Sequence, residues 1–383
     1  LMLMSFRNHL QAALGLRIRL PGTLLFEYST TKTLLKYLIE RINQVVSSST
    51  TKIEPIKVSP SLISHTKDAS VSEDIAIIGM SCRLPGGANN LDAFWSLINS
   101  TEDAIREVPK ERFDIDQYYS PEVGEPGKIY CRHGGFLDID VSTFDSGYFH
   151  LSPKELEMMD PQHRLILELA VESLNHANLP QQAIKDSLTG IFLGISTSDY
   201  SELLMNNMPE ESITGYFGTG NSSSAAAGRI AHFLGAQGPT FSVDTACSSS
   251  LVALHNAVQS LRSGASDMAL VGGVNMMLTP TATLNFCQAR MLAEDGKCKT
   301  FDESANGYVR GEGGGFVVLK PLSKALADGN DVLAVVKAAV VNQDGSSGGL
   351  TVPNGVAQEK LLRKALEESG ISVCESVADI GKK

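Results

Sequence analysis

No apolar run in the 383-residue chain approaches the roughly 20 residues that a bilayer-crossing helix needs, so a transmembrane span is excluded. Cysteine is scarce and scattered: Cys82, Cys131, Cys247, Cys287, Cys298 and Cys374 contain no C-x-x-C pair and are too few for a disulfide framework in a chain this long. Reduced thiols and a cytoplasmic location are expected. Positive charge is in deficit, with 32 Lys and Arg against 43 Asp and Glu and a net charge of −11. A phosphate-backbone binder needs a basic face, so nucleic acid is not an expected partner. No G-x-x-x-x-G-K-[ST] loop occurs, and the glycines that follow Gly311 lead into a strand pattern rather than a helix, which leaves no nucleotide cradle. No metal site is read from the sequence. The chain begins at Leu1, and LMLMSFRNHLQAAL has no basic leader, so the expectation is a piece of a longer polypeptide and not a signal peptide.

What is present is enough for a sizeable core: 43% hydrophobic residues in a length that allows two or three domains. Residues 1–43 repeat leucines and other apolar residues at helical spacing and read as a small amphipathic helical unit. Residues 44–73 turn rich in Ser and Thr, carry Pro55 and Pro60, lack a period, and read as a linker. From Asp74 the pattern changes abruptly to buried-strand runs: IAIIGM, GIFLGIS from Gly190, MALVGGV from Met268, GFVVLK from Gly315 and VLAVVKAAVV from Val332. Helical stretches such as 161–177 and 248–262 separate them, which predicts an α/β domain with a largely parallel sheet. Most of the 34 glycines fall between Gly190 and Gly349, where backbone must turn tightly or approach closely.

The richest stretch is residues 238–264. Phe241 and Val243 alternate as in a strand, Asp244 and Thr245 are capping types, and Cys247, Leu251, Leu254, Val258 and Leu261 follow at helical spacing. A cysteine in the first turn of a helix sits among unpaired N–H groups at the positive end of the dipole, and both favour thiolate. The small residues Ser248, Ser249 and Ser250 leave room around it. Such a thiol can attack a thioester, and its own backbone N–H can hold the resulting oxyanion. The competing reading is a small buried residue on the inner face of the helix, the commonest fate of a free cysteine. His255 lies about 12 Å along the same helix and cannot reach Cys247. No Cys–His pair is visible locally.

At DTACSSSL the chain resembles the β-ketoacyl synthase family, in particular the ketosynthase domains of modular type I polyketide synthases. The matching segments run in family order over 74–380: IAIIGMSCRLPGG (75–87), FWSLI (94–98), MDPQHRLILELAVESL (159–174), GIFLGIS (190–196), VDTACSSSLVALH (243–255), DGKCKTFDESANGYVRGEGGGFVVLKPL (295–322) and NQDGSSGGLTVPN (342–354). The resemblance implies a thiolase-like fold, layered αβαβα from two related halves, with the second half truncated. It also implies that Cys247 accepts an acyl chain as a thioester, to be condensed with a decarboxylated malonyl-type unit on a carrier protein. The family places two further histidines in E-A-H-G-T-G-T and K-x-N-x-G-H segments, and neither segment occurs in this chain. Val171 stands where the family often has Trp, and Asn178 where it often has Gly.

Residues 1–43 resemble the C-terminal part of an acyl carrier protein domain, an α-helical fragment ahead of the linker at 44–73 and the ketosynthase domain at 74–383. LPGTLLFEYST has Ser29 where Pro is usual. The serine that carries phosphopantetheine in that family would lie just before Leu1, so no cofactor-binding residue is assigned within the chain. The implied partners are carrier domains bearing acyl and malonyl-type thioesters, adjacent polyketide synthase domains, and a second copy paired through the strand at Thr240 to Val243. Two other readings remain open: a non-elongating platform that accepts chains on Cys247, and a cysteine hydrolase built on the same turn.

Overall fold

A computed structural model describes residues 73–371 and four residues of a helical turn, Lys36, Tyr37, Ile39 and Glu40. The rest of the expected carrier segment, and the linker up to Ser72, lie outside the described residues. The chain divides into two units, Leu1–Ser70 and Val71–Lys383, and the sheet belongs to the second.

The described strands are β1 (Ile75–Arg83), β2 (Ile105–Glu107), β3 (His133–Gly135), β4 (Thr189–Gly194), β5 (Thr240–Val243), β6 (Met268–Asn275), β7 (Gly313–Pro321) and β8 (Ala334–Val336). The longer helices are α1 (Leu91–Ile98), α2 (Pro161–His176), α3 (Asp199–Asn207), α4 (Ser223–Leu234), α5 (Ser249–Arg262), α6 (Thr281–Gln288) and α7 (Gly355–Ser369). Six strands form one sheet in the order β5-β4-β6-β7-β1-β8, while β2 and β3 pair separately. The runs from Ile75, Gly190, Met268 and Gly315 are strands as predicted, but the sheet is mixed rather than largely parallel. β4 runs parallel to β5 and to β6, whereas β6–β7, β7–β1 and β1–β8 are antiparallel. The reason is coverage: a strand buried on both faces reads as a continuous apolar run whichever way its neighbours point, so direction leaves no trace in IAIIGM or GFVVLK.

The run at Val332 is a second departure. Only Ala334–Val336 is strand, because Val336 already stands opposite Ile75, the first residue of β1. Beyond it the ladder has no partner residue.

Alternate residues of the strands feed two cores on opposite faces. Ile191, Leu193, Leu270 and Val318 face α2 and α4, and Phe192, Ala269, Val271 and Leu319 face α5. Helix α2 starts because the Asp160 carboxylate accepts a hydrogen bond from the Gln162 amide and Pro161 occupies the first turn, where its missing N–H costs nothing. Leu165, Ile166, Leu167 and Leu169 are then buried, each contributing about 2 kcal/mol through area removed from water. The helix ends at Asn178, whose φ of 55° explains why a glycine is usual at that position.

On the opposite face α5 buries Val258 and Leu261 of its expected stripe, with Leu254 packed beside them, and departs from it at one helical position. Leu251 is 68% exposed, and Ala253, Ala257, Val258 and Leu261 carry the contact. Two alanines let the helix lie close to the sheet. This produces a three-layer α/β/α body, with β8 and α7 as the described elements that follow it. Among the described residues, no helix is long and apolar enough to cross a membrane.

Candidate active site

Cys247 does not occupy the first turn of α5. It stands just before the capping residue Ser248, in a tight turn between β5 and α5. The chain is bent there by its own polar side chains. The Asp244 carboxylate accepts from the Ala246 amide at 3.0 Å, and the Thr245 amide donates to the Ser249 hydroxyl at 2.9 Å. Ser249 in turn donates to the Ala246 carbonyl at 2.6 Å. Asp244 and Thr245 therefore shape the turn instead of capping the helix. Ala246 is held at φ 55°, a left-handed conformation uncommon outside glycine, and such strain persists only where the surroundings fix it.

The turn fits against the sheet because two glycines stand beneath it. A Cβ on Gly194, at the end of β4, would lie 2.6 Å from the Ser250 amide nitrogen. One on Gly273 of β6 would lie 2.9 Å from the Ser250 side chain. The result is an exposed Cys247 thiol, which answers the buried-residue reading, at the wall of an open cleft of about 980 Å³. That size is at the upper end for small-molecule sites and accommodates an extended acyl thioester.

The facing wall comes from the segment 308–315, whose glycine pattern excludes a phosphate loop but does not by itself point to the thiol. Burial pushes the Tyr308 phenol up, and the charge of a Cys247 thiolate nearby adds to the shift. Arg310 donates to the Thr283 hydroxyl at 2.6 Å and lies over the Phe286 ring. Desolvation lowers its pKa, opposed chiefly by Asp199. Glu312 is fully buried and collects four donors: Arg112 Nε at 2.9 Å and Nη2 at 3.1 Å, and the amides of Leu137 and Met277, each at 3.0 Å. The Asp199 carboxylate accepts from the amides of Leu278 and Thr279, and burial raises its pKa against the lowering effect of those bonds. These groups fix a wall rather than react. The signal available in the sequence was the segment DESANGYVRGEGGG itself, whose polar residues are too many for a simple turn.

Among the described residues, no histidine lines the Cys247 cleft. His255 Nδ1 lies 2.5 Å from the Ala339 carbonyl, His176 Nδ1 accepts from the Met80 amide, and His163 is buried in α2. Among the described residues, no cluster of His, Cys, Asp or Glu could hold a metal ion. The other described cysteines divide by environment. Cys82, Cys131 and Cys287 are buried, and desolvation raises all three. Cys298 is exposed, and its sulfur accepts from the Val309 amide.

Residues 72–325 match the model of the β-ketoacyl synthase N-terminal domain, and residues 333–380 match that of its C-terminal domain. A component of the phenolphthiocerol/phthiocerol polyketide synthase of Mycobacterium tuberculosis is 49% identical over 309 residues, which are 80% of this chain and 14% of the relative. The pikromycin polyketide synthase component PikAII of Streptomyces venezuelae is 42% identical, over 97% of this chain and 10% of its own length. Among solved structures, the ketosynthase from module 6 of the bacillaene synthase of Bacillus subtilis superposes with a TM-score of 0.70 at 40% identity, over 78% of this chain and 49% of that one. The chain thus spans about half of that solved ketosynthase and a small fraction of these curated relatives. Its fold is the thiolase-like fold of these structures, and the chain belongs to the β-ketoacyl synthase family, as a ketosynthase of the modular polyketide synthase kind.

Proposed function

We propose that Cys247 is the acyl-accepting nucleophile of this ketosynthase. The observation that carries the reading is the exposed thiol on a strained strand-to-helix turn, set at the wall of a cleft wide enough for an acyl thioester. In the first step the Cys247 sulfur attacks the carbonyl of a carrier-bound acyl thioester, and the carrier thiol leaves with the proton. The Cys247 backbone N–H is the candidate donor to the developing oxyanion. In the second, a malonyl-type unit on a carrier loses carbon dioxide and its α-carbon attacks the Cys247 thioester, forming a carbon–carbon bond and releasing the thiol. Phosphopantetheine enters as the arm of the carrier substrate, not as a resident group.

The partners implied are carrier domains and neighbouring synthase domains in a cytoplasmic assembly. Residues 1–43 fit the second half of such a carrier, 44–73 a linker and 74–383 the ketosynthase. The alignment with the pikromycin component takes in 97% of the chain and so extends well into residues 1–72, which supports this division. A hydrolase would need a histidine beside the thiol, and the described histidines have other surroundings.

The test is intact-mass analysis after incubation with an acyl thioester. One acyl adduct is expected, abolished in Cys247→Ala; an undiminished adduct in that variant ends the assignment. With a malonyl thioester added, residues 1–383 alone are expected to give no condensation product, because neither histidine segment occurs in them. A product would show that the acid–base groups lie elsewhere. The same absence in the parent protein would favour a non-elongating platform.

A further inference from the structure

One hydroxyl hydrogen is shared between two carboxamide oxygens at the edge of the Cys247 cleft. Gln162 is oriented by its amide nitrogen, which donates to the Asp160 carboxylate at 3.2 Å and to the Thr197 carbonyl at 3.1 Å. Its Oε1 therefore faces the Thr197 hydroxyl, 3.1 Å away. Asn275 is oriented in the same manner, because its Nδ2 donates to the Gly311 carbonyl at 2.7 Å. Its Oδ1 faces the same Thr197 hydroxyl at 3.3 Å. A threonine hydroxyl carries one hydrogen and can satisfy only one of these acceptors. Gln162 is nearer and 1% exposed, whereas Asn275 is half-buried and lines the cleft together with Thr197. The acceptor left short of a donor is thus Asn275 Oδ1.

The position of this oxygen limits what can satisfy it. Asn275 follows Gly273 at the end of β6, and Gly273 abuts Ser250, three residues after Cys247. Asn275 and Cys247 therefore line the same cleft. Further on, a second cavity of about 770 Å³ shares Ser198, Asp199 and Ala282 with the cleft. There Glu202 is again an acceptor, taking the hydroxyls of Thr279 at 3.3 Å and Thr281 at 2.5 Å. Asn275 Oδ1 is thus an acceptor facing the cleft, and a chain that brings a donor to it is the better match. A 3-oxo group, an alkene or a saturated carbon brings none.

We propose that Asn275 is a specificity residue whose side-chain oxygen accepts a hydrogen bond from a 3-hydroxyl group on the acyl chain delivered to Cys247. The inference deepens the ketosynthase reading and rests on it. It assigns the incoming class as 3-hydroxyacyl thioesters, and so requires that a ketoreduction precede delivery to this domain.

The experiment follows acylation of Cys247 in the intact chain by mass, using N-acetylcysteamine thioesters of equal length that carry a 3-hydroxy, a 3-oxo or no substituent. The 3-hydroxyacyl thioester is expected to react about tenfold faster in kcat/KM, mainly through KM, in keeping with one added hydrogen bond. Asn275→Leu should bring the three within about twofold of one another. Asn275→Asp, which keeps an acceptor, should retain the preference. A merely structural Asn275 would change all three rates in proportion and leave their ratio intact. Equal rates in the unaltered chain, or a preference that survives Asn275→Leu, would overturn the proposal. Failure of every thioester to modify Cys247 would instead overturn the ketosynthase reading, and this assignment with it.

Discussion

Asp160 and His163 begin the same helix, are both about 1% exposed, and respond to burial in opposite directions. Burial pushes the Asp160 carboxyl up to about 6, and burial, with a smaller effect from Arg229, holds the His163 imidazole down to about 3. A carboxyl raised in the folded state contributes stability below its unfolded value near 4 and loses that contribution as pH rises through 6, about 2–3 kcal/mol in all. An imidazole lowered in the folded state contributes stability above its unfolded value near 6.5 and loses it as pH falls toward 3, at most about 4–5 kcal/mol. Between pH 4 and 6 the two slopes oppose each other and partly conceal one another. Urea midpoints from pH 4 to 8 separate them. Relative to the unaltered chain, Asp160→Asn should gain stability as pH rises, and His163→Leu should gain it as pH falls. Among the described residues neither ring nitrogen of His163 has a hydrogen-bond partner, so the leucine forfeits no bond to them. Parallel curves for both variants would refute the coupling of these two groups to folding.

At the scale of elements, the β5–α5 turn depends on a glycine from another strand. A Cβ on Gly194 would meet backbone atoms of Ser249 and Ser250 at 2.6–2.9 Å, and backbone cannot swing aside as a flexible side chain can. Gly194→Ala should therefore cost about 1–3 kcal/mol and displace the turn, slowing acylation of Cys247 about tenfold or more. Gly228, inside α4 with no atom near its added Cβ, is the control, because alanine there should stabilise by up to about 1 kcal/mol. Equal effects of the two changes on acylation would sink this account. The same elements mark what the sequence made legible. The strand runs from Ile75, Gly190, Met268 and Gly315 and the limits of α2 and α5 followed from local pattern, because hydrophobic period, caps and turn residues act within a few positions of one another. Sheet direction, the exposure of Leu251 and the far wall of the cleft did not. They depend on contacts such as Arg112 with Glu312 and Gly194 with Ser250, between residues far apart in the chain, and nothing in either segment alone announces the other.

For the whole molecule, the ends of the main sheet are the weakly protected places. β8 is three residues long, a common way of blunting an edge. β5 is also short, yet among the described residues it pairs only with β4, and it carries Phe241, 41% exposed and packed edge-to-face on Phe192 with centroids 5.1 Å apart. Leu251 on the adjoining helix is 68% exposed. An edge strand beside exposed apolar side chains invites pairing, and a second copy offers the same strand related by a two-fold axis. A homodimer formed through β5 is therefore expected, with Phe241 near its centre. Sedimentation velocity over a dilution series should show a dimer that dissociates on dilution, and Phe241→Lys should leave a monomer. The consequence reaches the site, because β5 ends at Val243 and the turn holding Cys247 starts at Asp244. Pairing of the strand would steady the strained Ala246, so the acylation rate per chain should fall as the dimer dissociates, and Phe241→Lys should show the lower rate at every concentration. A chain that is monomeric throughout and acylated at a constant rate would rule out both the dimer and its link to the nucleophile.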